Sequence, residues 1–171
     1  QRAIDRAAQA QQPLWLAPGD YRSGLLTLRA GPRVIGASGA RIALTRGPSL
    51  FAAQDAETIM LIGLALDGSN IALSRDGGLI AVTGARDLKI ADCTIANANG
   101  NAVGVFQSSG AITGNTIWNR SHALPTLWVS RLEGFNITGN TVINDVPPPS
   151  DDKATRQALL PLIDAAACPA Q

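Results

Sequence analysis

The sequence predicts an all-β fold, a right-handed parallel β-helix (solenoid) with a short N-terminal capping helix, and three observations predict it. First, four eight-residue blocks align without gaps, beginning at Leu61, Ile90, Ile112 and Ile137. The last two, Ile-Thr-Gly-Asn-Thr-Ile-Trp-Asn and Ile-Thr-Gly-Asn-Thr-Val-Ile-Asn, agree at six of eight positions. Second, the blocks are spaced by 29, 22 and 25 residues, and between them lie segments 69–78, 98–101 and 120–126, rich in Ser, Asn, Gly and Pro. A solenoid absorbs such slack in loops and keeps its strands in register. Third, 46% of residues are hydrophobic but only 4% aromatic, and there are 17 Gly. That balance suits a core of aliphatic rungs separated by tight turns.

The elements follow in chain order. Ala3, Ile4, Ala7 and Ala8 mark one face of a short amphipathic helix that Gln11-Gln12-Pro13 ends. Leu14-Trp15-Leu16 is a strand, Pro18-Gly19-Asp20-Tyr21 a turn, and Leu25-Leu26-Thr27-Leu28 and Val34-Ile35-Gly36 are further short strands. A helix over the first coil would cover an otherwise open sheet edge. In each block the inward positions are Ile59, Leu88, Gly110 and Phe135 before the anchor, then Leu61, Ile90, Ile112 and Ile137. Leu66, Ile95, Ile117 and Val142 follow five residues after it. Between them Gly63, Asp92, Gly114 and Gly139 permit a corner. Just beyond it, Asn115 and Asn140 are placed to bond each other and the backbone along the axis. A further strand opens each coil at Leu79-Ile80-Ala81-Val82, Ala102-Val103-Gly104-Val105 and Thr126-Leu127-Trp128-Val129.

Residues 1–145 thus read as one solenoid with its cap, and 146–171 as a Pro-rich linker and tail. Prolines 147–149 offer no ladder donor. Beyond them Ser150 is placed as an N-cap for a segment with Leu159, Leu160, Leu162 and Ile163, interrupted by Pro161. Three readings of the tail stay open: a cap on the last coil, a contact with a partner, or no fixed structure.

A net charge of +1, from 14 basic and 13 acidic residues without a basic stripe, argues against nucleic acid. The longest uncharged apolar runs are far too short to span a bilayer. Cys93 and Cys168 form no metal spacing, and no cofactor is implied. The chain begins at Gln1 without a signal-like segment, as expected of a processed or excised piece of a longer chain.

The helix, the Leu14-Trp15-Leu16-Ala17-Pro18-Gly19-Asp20-Tyr21 stretch and the Ile-x-Gly-Asn-Thr coils resemble pectate-lyase-like right-handed β-helix proteins over about residues 1–145. More narrowly, they are similar to bacterial twin-arginine-translocated repeat proteins of uncharacterised function. The resemblance implies export to the periplasm or beyond, and a polysaccharide or cell-surface glycan as partner.

Chemistry is harder to find. The Asn-Thr-Asp, Asp-Asp, Gly-His-Gly and Arg-Ile-Lys motifs of polygalacturonase-like hydrolases on this fold are missing from the coils. Asn115-Thr116 and Asn140-Thr141 are followed by Ile117 and Val142, and the one Asp-Asp, at 151–152, lies in the tail. Hydrolysis needs two carboxylates about 5–9.5 Å apart, whereas Glu57 and Glu133, in one column, stand three rungs or about 14 Å apart. Arg86 lies between them and predicts a surface ion ladder instead. A lyase would want clustered acids beside a base such as Lys89, Arg120 or Arg131, and the acids are lacking. For binding a glycan, Trp118 and Trp128 are predicted to point outward and, with Arg120, His122, Arg131 and Glu133, to line one shallow groove on the last coils. Packing of the tryptophans beneath the tail is the competing reading. Two functions follow: an exported solenoid that binds a polysaccharide, with or without processing it, or a non-catalytic structural or surface-interaction solenoid.

Overall fold

The computed structural model describes residues 1–29, 31–119 and 126–144. Helix α1 (Arg2–Gln9) opens the chain and turns Ile4 and Ala8 inward. The first coil holds β1 (Leu14–Leu16), β2 (Gly19–Ser23) and β3 (Leu26–Thr27), and the second β4 (Arg33–Gly36), β5 (Ala40–Leu44) and β6 (Phe51–Gln54). The third holds β7 (Thr58–Ile62), β8 (Ala65–Asp67) and β9 (Ile80–Thr83), and the fourth β10 (Asp87–Ala91), β11 (Thr94–Ala98) and β12 (Val103–Phe106). The fifth holds β13 (Gly110–Thr113), β14 (Thr116–Asn119) and β15 (Leu127–Ser130). β16 (Phe135–Thr138) and β17 (Thr141–Asn144) begin a sixth.

These strands stack into three sheets: the first runs from β1 to β16, the second from β2 to β17 and the third from β3 to β15. Every pairing between named strands is parallel. The chain is therefore a parallel β-solenoid, and its register is the one the four blocks predict. Ile90 pairs with Leu61 below and Ile112 above, and Ile112 with Ile137. Ile95 pairs with Leu66 and Ile117, and Ile117 with Val142.

The core lies inside the coils. Ile59, Leu61, Leu88, Ile90, Ile95, Ile112 and Ile117 have no exposed surface, and burying each such side chain stabilises the fold by roughly 1.5–3 kcal/mol. Burial is possible because the backbone bends sharply between the first two sheets. Gly63, Asp92, Gly114 and Gly139 stack at that corner with φ of 66°, 54°, 65° and 65°. Gly takes this left-handed conformation without cost, and Asp tolerates it better than most residues. Beyond the corner the Asn115 amide donates to the Ile90 carbonyl (2.9 Å) and the Asn140 Oδ1 (2.8 Å). Asn140 in turn donates to the Ile112 carbonyl at 2.7 Å. The asparagine ladder is formed.

The N-terminal coils differ in detail from expectation. Gly19-Asp20-Tyr21 does not make a free turn; it opens β2, because its backbone pairs with Ala40, Arg41 and Ile42 of the coil above. Ladder pairing overrides local turn chemistry here. The helix closes this end of the stack, and the Gln1 side chain completes it. Its Oε1 accepts the Thr27 N–H (2.9 Å) and its Nε2 donates to the Thr27 carbonyl (2.8 Å), so it occupies the edge of β3 as a further rung would. The tail expectations, including Ser150, Asp151, Asp152, Leu159 to Ile163 and Cys168, lie outside the described residues.

Candidate functional site

Of the groove residues expected on the last coils, Trp118 lies on the second sheet and Trp128 on the third. Arg120 and His122 lie outside the described residues. Trp118 is carried on the outer face of the second sheet, in the column of Ile143 and Ala96, but only 2% of it is exposed. It packs with those two residues as a small cluster apart from the main core. The expectation of an exposed groove wall does not hold here: strand alternation decides which side of a sheet a residue takes, not whether that side is covered. Trp118 has no free ring face for a sugar.

Trp128 lies on β15. Leu127 and Val129 pack against the core, so alternation along β15 puts Trp128 outside, where its partner below is Gly104. It is half-buried. Phe106, one coil down and two residues along, meets it edge to face at a centroid distance of 4.7 Å.

From this aromatic pair the surface runs on to the corner between the third and first sheets. There Asp55, Gly84, Gln107 and Arg131 stack with φ of 50°, 72°, 48° and 55°, linked by backbone bonds such as Gln107 N–H to the Ser130 carbonyl at 3.0 Å. Polar residues held in a left-handed conformation project from the bend, at a cost of roughly 1–2 kcal/mol each. The buried Ser108 hydroxyl pins the turn, accepting the Ala85 N–H (3.0 Å) and donating to the Phe106 carbonyl (2.7 Å). A depression of about 400 Å³ results, lined by Arg86, Gln107, Ser108, Ser109, Arg131 and Glu133. Lower on the same edge a second depression, of about 710 Å³, is lined by residues that include Gln11, Gln12, Arg33, Asp55 and Glu57. Two polar depressions therefore lie on this edge of the solenoid.

Glu57 and Glu133 are not brought together on this edge. Arg86 meets Glu57 at 3.9 Å with both side chains more than four-fifths exposed, the expected ion ladder, which contributes little to stability. The turns holding Arg86 and Ser108 separate Glu57 from Glu133, as their order in the stack requires.

One carboxylate cluster was not anticipated. On the outer face of the second sheet Arg41 bridges Asp20 (3.2 Å) and Asp67. Asp67 also accepts the Ser69 N–H at 2.7 Å and the Asn97 amide at 3.1 Å. Asn97 reaches it because β11 bulges between Ile95 and Ala98, leaving Asn97 at φ 54°. The signal lay in the first two coils, whose strands lack the Gly-Asn corner and so escaped the block alignment. Burial works to raise the Asp67 carboxyl, but the Ser69 N–H, the Asn97 amide and Arg41 outweigh it and hold the group below the ordinary carboxylate range. An anion so fully bonded is the wrong form for a general acid, and the cluster reads as a clamp tying four coils together.

That clamp makes stability depend on pH. A carboxyl whose folded value lies below its unfolded one contributes stability above the unfolded value and loses it as pH falls through the folded one. Melting temperature measured between pH 7 and pH 2 is expected to fall more gently in Asp67→Asn than in the wild type below about pH 4. Parallel curves would remove Asp67 as a contributor.

Cys93 stands between Leu64 and Asn115 in the corner column; it is a free, buried thiol, and burial pushes it up to about 11. It is unreactive by environment. Among the described residues no three His, Cys, Asp or Glu side chains are grouped to hold a metal ion, and no helix is long and apolar enough to cross a membrane. No family model, no curated protein and no solved structure matches the chain.

Proposed function

We propose that this chain is an exported, non-hydrolytic β-helix protein that binds a polysaccharide along the edge between its third and first sheets. The observation that carries the reading is the Trp128–Phe106 pair on the same two coils whose following residues Gln107, Arg131 and Glu133 line a polar depression. Binding an extended sugar polymer calls for an aromatic face to stack on and, beside it, fixed donors and acceptors for hydroxyls. The two depressions on this edge offer polar groups on several successive coils, as a polymer longer than one site requires. The coil motifs' resemblance to pectate-lyase-like and twin-arginine-translocated repeat proteins supports a glycan partner and export. A second reading, a non-catalytic spacer that presents no ligand site, is favoured by the burial of Trp118 and by the separation of Glu57 from Glu133.

Affinity electrophoresis of the intact chain through gels containing pectin, alginate, xylan or a neutral glucan separates the two. At least one polymer should retard the protein. Trp128→Ala should weaken that retention about tenfold, equivalent to about 1.4 kcal/mol, while loss of the Phe106 contact lowers stability by only about 0.5–1.5 kcal/mol. Arg131→Ala should weaken it less. Retardation by none of the polymers, or an unchanged Trp128→Ala, would hand the case to the spacer. Release of reducing or unsaturated ends from any polymer would overturn the non-hydrolytic assignment.

A further inference from the structure

The two ends of the stack are finished differently. At the first coil α1 packs on β1 and β4, Ile4 and Ala8 are buried, and Gln1 bonds the edge of β3. At the last coil the same inward columns that are sealed below come to the surface. Ile112 is 0% exposed and Ile137, directly above it, 39%; Ile117 is 0% and Val142, above it, 37%. In the third sheet Val103 and Val105 are fully buried, while Leu127 and Val129 above them are only partly so. Strands β15, β16 and β17 are the last of their sheets among the described residues. An apolar floor and three strand edges therefore face the same way.

We infer that residues 154–163 of this chain cover that floor, as α1 covers the other end. The chain leaves β17 at Asn144, beside the exposed Val142, and runs straight into Asp145-Val146-Pro147-Pro148-Pro149. In the fourth coil the third-sheet strand begins at Val103, soon after β11 ends at Ala98. Prolines 147–149, close after Asn144, have no N–H to give a neighbouring strand. Apolar residues resume at Leu159, Leu160, Leu162 and Ile163. The intervening residues 145–158 span up to about 3.3–3.6 Å each when extended, ample to cross the end of one coil. The cover supplies Phe135, Ile137 and Val142 with the apolar neighbours that each lower rung finds in the next. It also hides edges that would otherwise recruit another chain. The inference is independent of any ligand.

Hydrogen exchange read by mass spectrometry tests it on the full chain. Amides of residues 135–144 should exchange at least tenfold faster in Leu159→Lys/Ile163→Lys than in the wild type, with residues 58–106 unchanged. Equal exchange in 135–144 would overturn the proposal. So would wild-type protection of 135–144 that rises with protein concentration, because that assigns the end to a second copy. A photo-crosslinking residue at Ile137 in the otherwise native chain decides the matter even where the double variant fails to fold. Links within one chain to 154–163 support the cover; links only between chains, or none to this segment, reject it.

Discussion

Asn115→Ala is expected to lower the unfolding free energy by about 3–5 kcal/mol, with buried unsatisfied groups costing about 1–3 kcal/mol each. Asn115 is 1% exposed, and its amide serves backbone on two sides. Its Oδ1 accepts the Cys93 N–H at 2.9 Å and its Nδ2 donates to the Ile90 carbonyl at 2.9 Å. Alanine strands both inside the coil, where no water replaces the amide. Asn115→Asp strands the Ile90 carbonyl as well and adds a buried charge. Asn140 bonds in the same pattern but is half-buried, so Asn140→Ala should cost less than half as much. Urea unfolding followed by circular dichroism measures both. A midpoint for Asn115→Ala within about 1 kcal/mol of the wild type would mean that the ladder is ornamental, since surface substitutions commonly stay within about 0.5 kcal/mol.

The corner column shows why this part of the fold was readable before any coordinates. Its members, Leu64, Cys93, Asn115 and Asn140, change from apolar to polar up the stack, yet the Gly or Asp preceding each fixes the same bend. A conformation that few residues tolerate leaves a mark in the sequence. The second coil leaves none. Ala37-Ser38-Gly39-Ala40 brings the chain into β5 without the Gly-Asn signature, so Arg41 was never set beside Asp20 and Asp67, and the clamp on the second sheet went unseen. The Asn97 bulge was hidden for a related reason. A gapless alignment assumes equal rise through each block, and an extra residue within one strand breaks the side-chain period without altering the block's length.

The candidate groove was legible only where alternation suffices. Trp128 lies outside the coil because Leu127 and Val129 lie inside. Trp118 obeys the same rule on its own sheet, but its burial depends on which other residues pack over that face. Periodicity along one strand carries no record of a cover arriving from elsewhere in the chain. The left-handed corner of Asp55, Gln107 and Arg131 was also missed: Gln107 and Arg131 have no preference for that conformation and are held there by the rungs on either side.

Gly110 presents the opposite hazard, a position whose sequence reading invites the wrong substitution. It falls in the inward column of Ile59, Leu88 and Phe135, where a glycine looks like a vacancy that a larger side chain would fill with profit. Its backbone, at φ 131°, points a Cβ elsewhere: a carbon added there would lie 2.0 Å from the Leu88 carbonyl oxygen and 2.5 Å from the Leu88 nitrogen. Both are main-chain atoms of the paired strand, so no flexible side chain can swing aside. Relief requires β13 to lift off β10, which breaks the register of Ile112 on Ile90 and carries β16 with it. Gly110→Ala is therefore expected to cost about 4 kcal/mol or more, the range reserved for mutations with a specific steric cause, and Gly110→Val to leave little folded protein. Hydrogen exchange should show the loss localised first to residues 110–144, with the coils below β10 still protected. A melting temperature for Gly110→Ala equal to or above the wild type would mean that the column holds a true cavity and that the fifth coil bends differently from the path described for it.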